Sequence, residues 1–318
     1  MQVDDMTGVA AVARGGITVA ERAGGLADRD LGLACTRQTR FQIASVSKQF
    51  TAAVVLLLAG ESRLSLGDPV GRWLDGCPEA WAPVKIEHLL THTAGLGHWT
   101  DFPALDLYRP ISRADELEIF QRVPLLSAPG ARYYYSSPGY VLLAWIVEQA
   151  AGQPYASFLA DRIFGPLGLH QTSAGDRPGG AGMARGYHAG QPVPSVELAT
   201  VGLGAGDVWS TAADLLRWDE AVAKNELLPA SLHAAMFTAR VAPGSAGNRG
   251  DWSFTGYGYG WRIGAIDGRR AYFHTGDNPG YLSVNAWLPD EQLTLAVLTN
   301  DEATDIEQAV TDLLELAG

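Results

Sequence analysis

The chain has 318 residues, which is enough for one large domain or two closely packed ones. Hydrophobic residues make up 47% of it and charged residues 18%, a balance that is typical of globular proteins and excludes a largely disordered chain. The net charge of −12 argues against a nucleic-acid partner, because phosphate binding requires clustered Lys and Arg side chains.

The first third of the chain predicts a hairpin followed by a buried helix. Residues 6–13 and 16–23 are β-like runs on either side of Gly15-Gly16, and residues 40–43 form another extended piece. Residues 45–60 then read as a helix that is apolar on nearly all sides, so we expect it to be buried. Its apolar run, 52–59, is too short to cross a bilayer, and no secretory signal is visible. We therefore expect a cytoplasmic protein without a membrane partner.

The remaining elements predict an α+β fold. The stretch 66–200 is rich in Pro, Gly and helical patches, of which residues 139–151 are the clearest helix. The last third contains predicted strands at 257–264, 270–275, 281–288 and 293–299 and a helix at 306–316. Strands at both chain ends predict one antiparallel sheet, flanked by helices, with the middle inserted as a mainly helical lobe. The corresponding domains are residues 1–65 with 200–318, and residues 66–199.

The first candidate for catalysis is the pair Ser45 and Lys48. Positions i and i+3 of a helix share a face, so the lysine can reach the serine hydroxyl. A serine becomes a good nucleophile when a neighbouring base takes its proton, and a buried lysine can do so once its pKa is lowered. Lysine occurs only at positions 48, 85 and 224, and arginine cannot serve as this base. A single S-x-x-K is also what a serine N-cap followed by a surface lysine looks like.

Several further segments, in the right order, support the catalytic interpretation. These are FQIASVSKQFTA at 41–52, LLTHTAGL at 89–96, PGARYYYSSPGYVLL at 129–143, GAGDVWSTAADLLRWDEAV at 204–222 and HTGDNPGY at 274–281. Together they resemble the serine β-lactamase-related family, which includes class C β-lactamases, D-alanyl-D-alanine carboxypeptidases, D-aminopeptidases, esterases and acyltransferases. The resemblance runs from about residue 6 to the C-terminus. It implies a β-lactamase/penicillin-binding-protein-like fold with the active site between sheet and helical lobe.

The resemblance also implies roles for individual residues. Ser45 and Lys48 correspond to the nucleophile and its lysine partner, and Tyr135 to the tyrosine of a Tyr-x-Asn element that relays a proton. Tyr133 and Tyr134 are rivals by adjacency, although the spacing to the glycine and tyrosine at 139–140 selects Tyr135.

The segment His274-Thr-Gly276 resembles the third family element. A backbone N–H after Gly276 and that of Ser45 would form the oxyanion hole, the pair of donors that stabilises charge on the substrate carbonyl oxygen. Alternatively, His274 is a strand-end histidine bonded to a neighbour. We read His92, in the 89–96 segment, as structural.

The sequence departs from the family pattern in three places. Ser137 stands where asparagine is usual, and its single hydroxyl argues against efficient recognition of β-lactams or D-Ala-D-Ala. Asp277 follows Gly276 where small residues are common; it could repel acidic substrates, bind an amine or point to solvent. The first strand begins almost at Met1, where the family carries a preceding helix. We therefore expect a partner subunit or the C-terminal helix to cover that face of the sheet.

Aromatic residues near the predicted cleft either line it or pack in the core. If they line it, the acyl or leaving group is bulky and partly apolar. The residues are Trp99, Tyr108, Trp209, Trp252 and Tyr257.

Three hypotheses for the function follow. The first is a hydrolase that forms an acyl-enzyme from a small-molecule ester or amide and releases it to water. The second is an acyltransferase that passes the acyl group to an amine or alcohol. The third is an inactive binding or scaffold homologue. None of them requires a cofactor, the histidines show no metal-binding spacing, and a homo-oligomer is possible.

Overall fold

The computed structural model describes residues 6–175, 182–193, 202–243 and 252–318. Its main sheet, within these residues, has seven strands in the order β2-β1-β13-β12-β11-β10-β9, and every neighbouring pair is antiparallel. These strands are β1 (Gly8–Arg14), β2 (Ile17–Gly24), β9 (Ser253–Tyr257), β10 (Arg262–Ile266), β11 (Arg269–Asn278), β12 (Tyr281–Leu288) and β13 (Leu293–Thr299). The predicted α+β fold with one sheet from both chain ends is confirmed.

Short strand pairs and helices complete the architecture. The pairs join β3 (Leu26–Asp28) to β4 (Leu33–Ala34), β5 (Phe41–Gln42) to β8 (Trp209–Ser210), and β6 (Tyr187–His188) to β7 (Gln191–Pro192). The helices are α1 (Ser47–Gly60), α2 (Ile86–Leu90), α3 (Arg113–Arg122), α4 (Ser137–Ala151), α5 (Tyr155–Leu159), α6 (Gly165–Leu167), α7 (Ala212–Ala223), α8 (Ala230–Met236) and α9 (Ile306–Ala317). A π-helical turn, Ala160–Phe164, joins α5 to α6. None of the helices in the described ranges combines the length and hydrophobicity that a bilayer crossing requires.

The two faces of the sheet are covered by different helices. Alternate residues of β1 point to opposite sides, so that Val9 joins the core with α1, α4 and α7, while Ala10 joins a second core with α9. Helix α9 lies on β1, β2, β12 and β13. Of the two covers expected for this face, the structure shows the C-terminal helix.

Helices α1 and α4 are apolar almost all round because they pack against each other in the interior. Helix α4 begins after the N-cap Ser136, whose hydroxyl accepts the Gly139 N–H, and ends at Gly152 with φ of 68°. Pairing of β5 with β8 brings the residues just before α1 next to those just after position 208. The division into domains at residues 65 and 200 stays a prediction.

The predicted strand 257–264 is wrong. The chain instead turns between β9 and β10, where Gly260 has a φ of +78°. A Cβ at Gly260 would lie 2.8 Å from the carbonyl oxygen of Lys48, and one at Gly258 would lie 2.1 Å from that of Met236. The glycines of this aromatic-rich segment therefore allow a turn to pack closely on α1. The alternation of glycine and aromatic residues resembles a strand pattern and led to the wrong prediction.

Candidate active site

Ser45 lies on a 3₁₀ turn, Ala44–Val46, that leads directly into α1. Ala44 adopts a φ of 47°, a conformation uncommon for a residue with a side chain. The turn is held against β11, since a Cβ at Gly276 would lie only 2.3 Å from the carbonyl oxygen of Ile43. The Ser283 hydroxyl donates to this same oxygen at 2.7 Å. Gly276 is thus needed for close approach between strand and turn.

Lys48 is fully buried and its amine lies at the centre of a polar cluster. Its Nζ is 2.9 Å from Ser45 Oγ, 3.1 Å from Ser137 Oγ and 2.6 Å from the Ala205 carbonyl oxygen. Burial lowers the pKa of Lys48, interaction and hydrogen bonding with Tyr135 raise it, and the Arg262 charge lowers it further.

The partners of Lys48 determine where its lone pair can point. A neutral amine has two N–H bonds and one lone pair, and a backbone carbonyl can only accept. One N–H therefore goes to Ala205 O and the other can go to Ser137 Oγ. The lone pair then remains for the Ser45 hydroxyl proton, which is the arrangement a base requires.

The structure separates the three consecutive tyrosines. Tyr135 contacts the amine, with Lys48 Nζ 5.1 Å from its ring centroid. The Tyr134 hydroxyl instead donates to Asp101 Oδ2 at 2.9 Å. Tyr133 packs against Phe254 and Tyr257, and burial raises the pKa of its phenol. Of the three, Tyr135 is the one that joins the Lys48 cluster.

Next to Tyr135 lies a layer of buried rings that, like the Tyr135 ring itself, is not part of the pocket lining. His274 Nδ1 is 2.7 Å from the Thr275 carbonyl oxygen, so this nitrogen donates, and Nε2 accepts from the Tyr257 hydroxyl at 3.1 Å. His92 Nδ1 accepts the Ser136 N–H at 3.1 Å, and its ring centroid is 4.4 Å from that of Tyr135. Burial lowers the pKa of both histidines well below the usual value, with nearby cations adding to the effect.

The pocket in front of Ser45 is lined by both apolar and polar residues. Its lining includes the predicted residues Ser45, Trp99, Ser137 and Asp277 together with Leu107, Pro279, His98, Asn278, Gly202, Ala205 and Gly206. Trp99 and Leu107 also belong to a small group of partly buried apolar side chains with Leu105 and Ile111.

The other aromatic residues considered for the cleft, including the predicted substrate-binding residue Trp209, are not part of the pocket lining. Trp209 is buried in β8, where its ring packs edge-on against Tyr281 at 5.6 Å, and it is not part of the pocket lining. Trp252 packs against Phe273 in the core under α9. Tyr108 is 51% exposed, and Tyr257 packs against Tyr133 and His274 in the layer of buried rings. Aromatic content alone did not separate cleft residues from core residues.

Among the site residues that sequence reasoning missed are three with polar side chains. His98 Nδ1 accepts the Ser137 N–H at 3.3 Å, and burial, with the Lys48 charge, lowers the pKa of His98 to about 4. Asn278 donates to Gln42 Oε1 at 2.9 Å and to Gly206 O at 3.0 Å. Asp207 is buried beside the Lys48 cluster. Asn278 and Asp207 lie inside segments that carry the resemblance, which was the available signal.

A model of the Beta-lactamase family matches residues 2–317. The chain belongs to this family. It is 32% identical to esterase EstB of Burkholderia gladioli over 91% of its own length and 84% of the relative's. It is also 32% identical to penicillin-binding protein 4* of Bacillus subtilis over 86% of its length, but spans only 64% of that protein.

Solved structures agree with this assignment. A penicillin-binding protein from Bacillus halodurans has a TM-score of 0.82 at 26% identity, covering 98% of this chain and 96% of that one. The fold of this family member is therefore that of penicillin-binding proteins, as the resemblance implied, and the family includes serine hydrolases such as esterases and carboxypeptidases.

Proposed function

We propose that the protein is a serine hydrolase that forms an acyl-enzyme on Ser45 from a small-molecule ester or amide. The observation that carries the proposal is the 2.9 Å contact between Ser45 Oγ and the Lys48 amine, a buried amine with a lowered pKa. The relationship to esterase EstB adds to it.

In the proposed reaction, Lys48 takes the proton of Ser45 as Oγ attacks the substrate carbonyl carbon. The tetrahedral oxyanion is stabilised by the backbone N–H of Ser45 and one that follows Gly276. Tyr135 passes the proton from the amine to the leaving group as the carbon–leaving-group bond breaks. Water then attacks the ester on Ser45 by the reverse proton path, which releases the acid and restores the serine.

The test is intact-mass spectrometry after exposure to p-nitrophenyl esters, amides and β-lactams, with the adduct mapped by peptide sequencing. Ser45→Ala should abolish acylation and turnover. Ser47→Ala is the matched control, because the Ser47 hydroxyl is buried two residues away and accepts the Val208 N–H at 3.1 Å. It should lose about 1 kcal/mol of stability and retain acylation.

An unaltered turnover in Ser45→Ala would refute the proposal. Addition of amines or alcohols to the acylated enzyme tests the acyltransferase alternative, since faster loss of the adduct with formation of the acyl-amine or ester would show transfer. An absence of any adduct and any turnover across the panel would favour the inactive homologue.

A further inference from the structure

The loop 202–208 lies directly against the catalytic helix α1. The carbonyl of Ala205 accepts from the Lys48 amine at 2.6 Å, and the carbonyl of Gly204 accepts from the Thr51 hydroxyl at 2.5 Å, one turn further along α1. The position of this loop therefore determines the direction in which the amine donates, and so the direction left for its lone pair.

A buried carboxylate holds this loop in place. Asp207 is fully buried, and its Oδ1 accepts the Gly204 N–H at 2.8 Å while Oδ2 accepts the Gly175 N–H at 3.1 Å. Gly204 has a φ of +72°, so the loop turns sharply immediately before Ala205. The carboxylate thus fixes the turn that presents the Ala205 carbonyl to the amine.

The same carboxylate is electrostatically linked to Lys48. Burial raises the pKa of Asp207 to about 7, and its backbone hydrogen bonds and the Lys48 charge oppose that rise. The pKa of Lys48 is lowered mainly by burial, raised by Tyr135 and lowered by Arg262, and Asp207 raises it by a smaller amount. Asp207 also interacts with the phenol of Tyr155 on α5, whose pKa is raised mainly by burial and further by the Asp207 charge.

We propose that Asp207 is a positioning residue for Lys48: it fixes the turn that holds the Ala205 carbonyl against the amine. When ionised, its carboxylate also favours the protonated form of that amine. This proposal rests on the proposed function, in which the neutral amine is the base. Asp207 itself does not line the pocket, and it acts through the loop and through its charge.

The experiment compares pH profiles of kcat/KM for p-nitrophenyl acetate hydrolysis in the wild type, Asp207→Asn and Asp219→Asn. Asp219 is the matched control, since it is equally buried but its carboxylate accepts from Asn285 on β12. Removing the charge at 207 lowers the proton affinity of Lys48. In the pH range where Asp207 is ionised, we therefore expect the acid limb of the Asp207→Asn profile to lie at lower pH than that of the wild type. The limb of Asp219→Asn should coincide with that of the wild type.

An acid limb that is unmoved, or that moves to higher pH, in Asp207→Asn would overturn the inference, as would an equal shift in Asp219→Asn. A purely structural role would lower the whole profile without moving its limb. Ser45→Ala separates this outcome from failure of the proposed function: if that variant is inactive while the Asp207→Asn limb is unmoved, only the role of Asp207 is rejected.

A second measurement does not depend on the folding of an Asp207 variant. The carboxyl carbon of Asp207 is followed by NMR through a pH titration in the wild type and in Lys48→Met. Because coupling between two charges is reciprocal, the titration midpoint of Asp207 should rise when the neighbouring amine is removed. An identical midpoint in both proteins would contradict the linkage.

Discussion

Two groups of buried polar side chains near the Tyr135 ring are used differently. In the first, the Lys48 amine contacts the hydroxyl of Ser45, which lines the pocket. In the second, His274 and Tyr257 bond to each other, His274 also bonds to the Thr275 carbonyl oxygen, and neither residue lines the pocket. Both groups contain side chains whose pKa is shifted by burial, so the shift alone does not identify a catalytic group. What distinguishes Lys48 is its contact with the hydroxyl of Ser45, a residue that lines the pocket.

The strongest way to break this comparison is to remove the base. Lys48→Arg retains a positive charge but cannot give up a proton, and Lys48→Met removes the amine with a side chain of similar length. Both should lower kcat/KM for ester hydrolysis by on the order of 10³-fold or more. The exposed Lys224 provides the control, since Lys224→Arg should leave the rate unchanged. A robustly active arginine variant at 48 would contradict the role of the amine.

The next prediction removes one hydroxyl from Tyr135, beside the Lys48 amine, and one from Tyr257, in the layer of buried rings. Tyr135→Phe should lower kcat/KM by about 10²-fold because the proton relay is lost, with little change in melting temperature. Tyr257→Phe removes the donor to His274 Nε2 and should cost about 1 kcal/mol of stability while leaving the rate within a few-fold. Thermal denaturation and ester hydrolysis measure both effects. A large rate loss in Tyr257→Phe with an unchanged rate in Tyr135→Phe would show that the roles of the two tyrosines have been assigned wrongly.

The smallest expected effect concerns substrate choice. Ser137→Asn replaces the short hydroxyl, 3.1 Å from Lys48, by an amide that can donate to a substrate carbonyl. We expect nitrocefin to acylate this variant several-fold faster than the wild type, while ester hydrolysis changes little. Intact-mass spectrometry measures the acylation rate. If acylation does not accelerate, Ser137 is not what limits β-lactam recognition.

Predictability from the sequence differed between the parts of the site. The contact between Ser45 and Lys48 follows from helical spacing. Strands β12 and β13 have the same bounds as the strands predicted at 281–288 and 293–299. The strand predicted at 257–264 failed because its alternating aromatic residues are also compatible with a turn, and only the close approach to Lys48 explains its glycines. Trp209 could not be placed because burial of an aromatic ring depends on distant neighbours such as Tyr281.

By itself, the sequence determined that strands lie at both ends of the chain, together with the buried helix and the serine–lysine pair, because these depend on periodicity and on residues three or four positions apart. The tertiary structure decided that His274 bonds to Tyr257 and the Thr275 carbonyl and does not line the pocket, and that Asp207 supports the loop carrying Ala205. Those relations join segments separated by tens to hundreds of residues. Their geometry depends on how the segments pack, which no local pattern specifies.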